Sequence, residues 1–299
     1  MNNLTFKQLE AIHEVARNGT VVKAAAALHV TPAALTSRIK LLEEDAGLPL
    51  FDRTGNRLRA TDAGREAVAA AARIERVIAD LGDTLDAMKG LHGGRVRFGA
   101  VSTAKYFAAE LIAAFLRQHE GIDLKLVVGN RAETVESLRN YDIDVAVMGR
   151  PPSDFGVESA PFGPHPHVMI AGAEHPLARA RRVSKSDLAK QKFIVREEGS
   201  DTWYAMQQCF NGRLALNDPL EISNTEAIKQ AVIAGMGISF LSAHTVALEL
   251  QAGVLAVLDV AGFPVLRKWH VVHRADKQLA PVALAFKAFL LAEGAAHAS

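Results

Sequence analysis

In the first 90 positions apolar residues recur three and four apart; beyond Gly94 they gather into short unbroken runs. The first pattern predicts amphipathic helices, the second buried strands. A helix is expected from about Phe6 to Arg17, with Leu9, Ile12, Val15 and Ala16 on its apolar face. Thr5 and Gln8 form a capping box before it, and Leu4 and Leu9 sit where a hydrophobic staple would close. Asn18-Gly19 stops it. An alanine-rich second helix, about Val21 to Leu28, lets a neighbouring helix approach closely. Thr31 caps a third, with Pro32 at the first position, where a missing N–H costs nothing. Leu35, Ile39 and Leu42 form its inward stripe; Thr36, Ser37, Arg38 and Lys40 lie off it, facing out.

Two short helices joined by a brief turn, the second carrying small polar and basic side chains outward, are the parts of a helix-turn-helix reader. A generic helical bundle has the same periodicity. If the segment reads DNA, Thr31, Thr36, Ser37, Arg38 and Lys40 are the candidate contacts, because hydroxyls and cations reach base edges and phosphates. The run PLFDRTGNRLRAT then predicts a two-stranded wing turning at Thr54-Gly55-Asn56, with Arg53, Arg57 and Arg59 as further candidates. Residues 1–60 hold eight Lys and Arg against six Asp and Glu. One such domain attracts DNA only mildly, so two or more copies are needed for firm binding.

A long helix is expected from Thr61 to about Lys89. Ala67, Ala71, Ile74, Ile78, Leu81, Leu85 and Met88 alternate four and three apart, the seam of a coiled coil. Packing on its own chain is the alternative; a dimer seam is preferred because no partner helix lies nearby in sequence. Gly90 to Gly94 forms the hinge that ends it.

After Gly94, strands at Arg95–Val101, Leu124–Val128, Val145–Met148, Val168–Ala171, Phe193–Val195, Ile238–Leu241 and Trp269–Val272 alternate with helices. The helices are expected near 106–118, 132–140, 203–210, 226–235, 243–251 and 281–293. This is an α/β domain, or two small ones, each with a mostly parallel sheet. Ligands of such sheets bind beyond the carboxyl ends of the strands. Polar clusters fall there: Ser102, Thr103 and Lys105 after the first strand, Asn130 and Arg131 after the second, Arg150 after the third. Ser200 and Thr202 precede one later helix, and Asn224 and Thr225 another. Hydroxyls and free N–H groups at helix starts suit anions, and Lys105, Arg131 and Arg150 add charge. Any one cluster could be an ordinary helix cap. Their convergence points to a cleft for a small anionic molecule, phosphorylated or not.

Composition narrows the classes. The chain has 299 residues, is 49% hydrophobic and 22% charged, and carries a formal net charge of +1. That excludes a basic tail and an acidic disordered protein, but not a local basic face. The single cysteine, Cys209, makes no internal disulfide and is read as a core residue. No apolar run reaches the roughly 18 residues of a membrane helix, and the N-terminus lacks a signal-peptide core, so a cytoplasmic protein with no membrane partner is expected.

The run AAAALHVTPAALTSRIKLLEEDAGLPLFDRTGNRLRATDAG resembles the LysR-type transcriptional regulators. In the second part, GAVSTAKYFAAELIAAF, VVGNRAETVESL, DVAVMGRPP, SNTEAIKQAVIAGMGISFLSAHTVALEL and FPVLRKW are similar to the CbbR group, activators of Calvin-cycle carbon-fixation genes. The resemblance implies a winged helix-turn-helix over 1–61 and a coiled-coil linker helix over 62–90. It implies an effector domain over 91–299, built like a periplasmic binding protein. Its two Rossmann-like subdomains would span 91–164 with 268–299, and 165–267. The crossovers would fall near Pro164–His165 and Pro264–Lys268. The implied partners are double-stranded promoter DNA, further copies of the chain as a homodimer and homotetramer, and RNA polymerase. No bound cofactor is implied. The effector is a non-covalent metabolite such as NADPH, ribulose 1,5-bisphosphate, phosphoenolpyruvate or ATP. Positions matching the effector cleft are Ser102, Thr103, Lys105, Asn130, Arg150, Ser200, Thr202, Asn224 and Thr225. Two departures stand out. Pro32-Ala33 replaces the Gln-Pro of many relatives, and REEGSDTW replaces a segment usually close to REPGSGTR, so Asp201 adds a negative charge and Trp203 replaces an arginine.

Other classes find less support. His165-Pro-His167 has no third ligand at metal spacing, and there is no HExxH run. Ser239 in GMGIS lacks the glycines of a nucleophile elbow, and no phosphate-binding glycine loop occurs. Neither an enzyme nor a metal site is expected. A free-standing solute-binding protein would not carry the wing and coiled coil. A LysR-type regulator of one-carbon or aromatic metabolism is the remaining alternative.

Overall fold

A computed structural model describes residues 4–54, 57–88, 93–210 and 218–297, and the chain divides into two compact units, Met1–Leu85 and Asp86–Ser299. In the first unit α1 (Phe6–Asn18), α2 (Val21–Ala27) and α3 (Pro32–Ala46) precede a hairpin of β1 (Phe51–Thr54) and β2 (Arg57–Ala60). α4 (Asp62–Met88) follows. The caps are those the sequence signals. Gln8 Oε1 accepts from the Thr5 backbone N–H at 2.8 Å, and Thr31 Oγ1 accepts from Ala34 N at 3.2 Å. Gly19 and Gly47 close α1 and α3 in the left-handed conformation, which costs glycine nothing. Leu9, Ile12, Val15, Ala24, Ala25, Leu35, Ile39 and Leu42 make one core with Leu50 and Phe51 of the hairpin. Leu35 is fully buried, so truncating it to alanine would cost about 2–5 kcal/mol.

α4 changes character along its length. Ala71 is buried in that core and Ala67 packs against it, so the first two positions of the expected seam serve their own chain. Ile74, Ile78, Leu81 and Leu85 are exposed and continue the apolar stripe alone. The side chain of Met88, and Gly90 with most of the expected hinge, lie outside the described residues.

The second unit holds one sheet built from two similar halves. In the first, β3 (Gly94–Val101), α5 (Lys105–Gln118), β4 (Ile122–Gly129), α6 (Arg131–Arg139) and β5 (Val145–Met148) alternate. β3 lies between β4 and β5, all parallel. β6 (Val157–Gly172) and a short α7 (Lys185–Ala189) lead into the second half. There β7 (Phe193–Val195), α8 (Asp201–Phe210), β8 (Leu220–Glu221), α9 (Thr225–Ile233) and β9 (Ile238–Ser242) repeat the arrangement, with β7 between β8 and β9. α10 (Ala247–Gln251), β10 (Leu255–Val257), β11 (Val265–Arg274) and α11 (Pro281–His297) complete the chain. An antiparallel fourth strand completes each half, β11 beside β5 and β6 beside β9. β6 and β11 pair along Val157–His167 and Val265–Arg274 and so join the halves as two crossovers. The cores stay separate. Phe98, Phe115, Trp269 and Phe286 anchor the first; Phe193, Met206, Phe240 and Ile228 lie in those of the second.

Three local expectations are corrected. The strand expected at 168–171 runs from Val157 to Gly172. Pro161, Pro164 and Pro166 lack an N–H, but they fall where β6 has a neighbour on one side only, and such a residue is tolerated there. The three central strands of each half are parallel as expected, and the joined sheet becomes mixed because both crossover strands run against their neighbours. The helix expected over 243–251 is split into a 3-10 turn at Ala243–Thr245 and α10. Thr245 Oγ1 donates to Ser242 O at 2.7 Å, a local bond that competes with regular helix. Cys209, read as core, is only partly buried.

Candidate functional site

On α3 the inward residues Leu35, Ile39 and Leu42 leave Ala33, Thr36, Ser37 and Lys40 on one exposed face. Each candidate there has a describable state. The Thr31 hydroxyl is spent on its cap, and Thr36 Oγ1 donates to Pro32 O at 2.9 Å. Lys40 approaches Glu44 at 3.5 Å on the solvent side. Arg38 is half-buried beside the inward stripe rather than fully outward. In the hairpin Arg57 and Arg59 are exposed, with Arg59 opposite Asp52. The Arg53 backbone pairs with Leu58, while its side chain and the Gly55-Asn56 turn lie outside the described residues. This unit therefore presents a helix face of small polar groups and a cationic hairpin, which suits phosphate and base contacts.

In the second unit the candidate effector residues sit at the carboxyl ends of the parallel strands. Ser102, Thr103 and Lys105 follow β3, Asn130 follows β4, and Arg150 follows β5. From the other half come Ser200 and Thr202 at the start of α8, and Asn224 and Thr225 at the start of α9. Much of this polarity is internally used. Asn130 Oδ1 accepts from Glu133 N at 2.9 Å, and Asn224 Oδ1 from Ala227 N at 3.1 Å. Ser200 Oγ donates to Glu197 O and accepts from Trp203 N. Thr225 Oγ1 accepts from Arg196 Nη1 at 3.0 Å. Thr103 and Thr202 are buried, and Ser102 is partly exposed.

Among the described residues, two charged contacts join the halves. Asp201 Oδ1 lies 3.3 Å from Arg131 Nε and 3.4 Å from Arg150 Nε. Arg131 Nε also donates to Arg150 O at 3.3 Å, and the Arg150 guanidinium lies 4.1 Å from the Tyr204 ring centre. Burial pushes the Asp201 carboxyl up, against the pull of Arg131 and Arg150. In the second contact Lys105 Nζ stands 3.7 Å from Glu226 Oε1, and Tyr106 donates to the same oxygen. Lys229 holds Glu226 and Glu249 at 2.9 and 2.7 Å.

The crossovers carry an aromatic cluster. His165 stacks on Trp269 with ring centres 3.6 Å apart, and His167 on Phe240 at 5.1 Å. Both imidazoles are buried, which holds His165 well below the usual histidine range and His167 at about 3. Neither nitrogen of His165 has a hydrogen-bond partner. Gly149 faces this ring so closely that a Cβ would stand 2.9 Å from Nδ1.

The sequence named Lys105 and Arg150 as cleft residues and counted Arg131 only for its charge. It missed Glu226 and Tyr106, and it counted Asp201 as an added negative charge rather than as the partner of Arg131 and Arg150. No local signal couples Arg131 to Asp201, which lie 70 positions apart. Among the described residues no group of three His, Cys, Asp or Glu could hold a metal, and no helix is long and apolar enough to cross a membrane.

Comparison with known proteins bears on both units. Residues 6–65 match the bacterial regulatory helix-turn-helix protein, lysR family, and residues 89–295 the LysR substrate binding domain. The HTH-type transcriptional regulator CbbR of Rhizobium meliloti (strain 1021) is 46% identical over 299 residues, covering 99% of this chain and 96% of its own. The RuBisCO operon transcriptional regulator of Allochromatium vinosum is 39% identical over 294 residues, covering 98% and 97%. The regulatory domain of CcmR from Synechocystis PCC6803, solved in complex with 2-PG, is 36% identical with a TM-score of 0.63, covering 67% of this chain and 96% of that one.

Proposed function

The chain belongs to the LysR family of transcriptional regulators, and from that premise we propose that it governs carbon-fixation genes in response to a small phosphorylated carboxylate. The first unit binds promoter DNA through the outer face of α3 and the Arg57–Arg59 hairpin. The exposed stripe of α4 pairs with a second copy, and pairs of dimers assemble into a tetramer on the promoter, in the cytoplasm. The second unit binds the effector between its halves. The observation that carries the effector class is the guanidinium pair of Arg131 and Arg150 at the carboxyl ends of β4 and β5. Two cations at strand ends, beside a helix start, are what a doubly charged anion requires. The pathway rests on relatives named for CbbR and the RuBisCO operon, similar over almost their whole length.

The effector then bridges two halves that β6 and β11 link along the chain, and so biases the angle between them. That bias is worth only the difference in affinity for the two arrangements. RNA polymerase contact and activation follow from how the tetramer then holds the promoter.

Two measurements test the reading. The first is a thermal-shift panel of 2-phosphoglycolate, 2-phosphoglycerate, ribulose 1,5-bisphosphate, phosphoenolpyruvate, NADPH, ATP, aromatic acids and amino acids. A ligand at 100 times its dissociation constant stabilises by about 2.7 kcal/mol. A shift with a phosphorylated compound, abolished in Arg150→Ala, is expected. A shift only with aromatic or amino acids would move the regulated pathway elsewhere. The second is footprinting upstream of the organism's RuBisCO operon, where protection is expected and its absence refutes the target.

A further inference from the structure

We propose that Asp201 is a built-in competitor of the effector: its carboxylate occupies the Arg131–Arg150 pair, and an anionic ligand binds by displacing it. The inference rests on the anionic-effector reading above. It goes further by assigning a specificity-determining role to a residue outside the expected cleft set.

Asp201 Oδ1 alone meets both guanidiniums, at 3.3 and 3.4 Å, so it stands where one oxygen of a bound phosphate or carboxylate would stand. The side chain is only 10% exposed. Its other oxygen, Oδ2, is buried without a hydrogen-bond partner. A carboxylate placed only to stabilise the fold would have both oxygens satisfied, since an unmet buried acceptor costs free energy. Asp201 is therefore held through one oxygen, by the two guanidiniums and the hydrogen bond from Arg150 Nε, and a ligand with more oxygens meets the same cations better.

The charge balance supports exchange rather than exclusion. Arg267, whose guanidinium shares the Tyr204 ring with that of Arg150, also bears electrostatically on Asp201. Two guanidiniums meet this one carboxylate and a third bears on it, with Asp154 acting on Arg131 from the other side, so cations outnumber carboxylates here. The site still draws anions, but a ligand must overcome the Asp201 charge to enter. A monoanion gains little by the exchange, whereas a phosphate dianion with a carboxylate gains more. The residue thus raises the charge threshold for binding. Asp201 sits on the half opposite Arg131 and Arg150, so its displacement also releases one of the two charged contacts between the halves.

The test compares wild type with Asp201→Asn, Asp201→Ser and Arg150→Ala by titration calorimetry on the full-length protein. The probes are 2-phosphoglycolate, 2-phosphoglycerate and inorganic phosphate, and circular dichroism checks each fold. Both Asp201 variants should bind at least one probe about tenfold or more tighter, the scale set by removing one like charge a few ångströms away. They should also narrow the gap between inorganic phosphate and the phosphorylated carboxylates. Unchanged or weaker binding in both variants, with binding lost in Arg150→Ala, overturns the competitor role and leaves the anionic cleft standing. If no variant binds any of these anions, both readings fall together.

Discussion

Acid should unfold the second unit sooner than its carboxylates alone would require, because it buries His165 and His167 uncharged. Both pKa values are lowered by burial, that of His167 to about 3, while the unfolded chain titrates both near 6.5. The direction follows. The stability from keeping these rings neutral is fully present above pH 6.5. It is lost as pH falls below that value, because the unfolded chain takes up protons that the folded one refuses. For His167 the loss continues down to about pH 3. Between pH 6.5 and 5.5 each ring contributes about 1 kcal/mol to the loss, so the pair contributes about 2 kcal/mol. For a unit of this size that is about 4–8 °C in Tm. Both tryptophans, Trp203 and Trp269, belong to this unit, so intrinsic fluorescence follows its melting. The double substitution His165→Phe with His167→Phe keeps an aromatic ring against Trp269 and Phe240 and removes the titrating nitrogens. His244, His270 and His273 are also held below their usual range and act in both proteins, so the difference between melting curves isolates the pair. The double variant should lose markedly less Tm than wild type over that pH unit. Equal losses would refute the reasoning.

Two further outcomes follow from the first unit. Leu81→Asp, placed mid-way along the exposed stripe of α4, should dissociate the dimer, read by light scattering; retention of the wild-type oligomer would show that the stripe is not the seam. Arg57→Ala with Arg59→Ala should weaken binding to all DNA sequences alike and flatten the salt dependence by about 0.9 in log–log slope for each phosphate no longer neutralised. A sequence-dependent weakening would instead put these arginines on bases.

Legibility in the sequence followed the range of the interactions. Elements set by local signals were readable. Thr5, Thr31, Asn130 and Asn224 do cap their helices, and Gly19 does stop α1. The periodicity of α4 was visible too, but not that its first turns pack on their own core, since that depends on α1 to α3 and the hairpin closing into one cluster with Ala71. β6 is longer than its pattern suggests because its three prolines carry a local signal against strand, while the one-sided pairing that tolerates them comes from β11, about a hundred positions later. The cleft behaved likewise. The polar residues at strand ends could be found from the alternation of strand and helix, but caps and ligand contacts use the same residue types.

The departure at Asp201 was hard to weigh from sequence for the same reason. Taken locally, a carboxylate at a helix start is favourable in itself, through the helix dipole. Taken as part of a cleft, it only spoils an anion site. The fold supplies what neither reading has: two arginines from the opposite half, at one carboxylate oxygen, with the second oxygen unmet. Lys105 and Glu226 repeat the theme, pairing a cation at the start of α5 with a carboxylate in the first turn of α9. In both contacts the cation comes from the first half and the carboxylate from the second. An anion that replaces either carboxylate would occupy the cations and free the opposing helix start in one event. Under the proposed exchange, binding and rearrangement of the halves would be coupled by charge, and the size of the coupling would be set by how much better the ligand meets the cations than the chain's own carboxylates do.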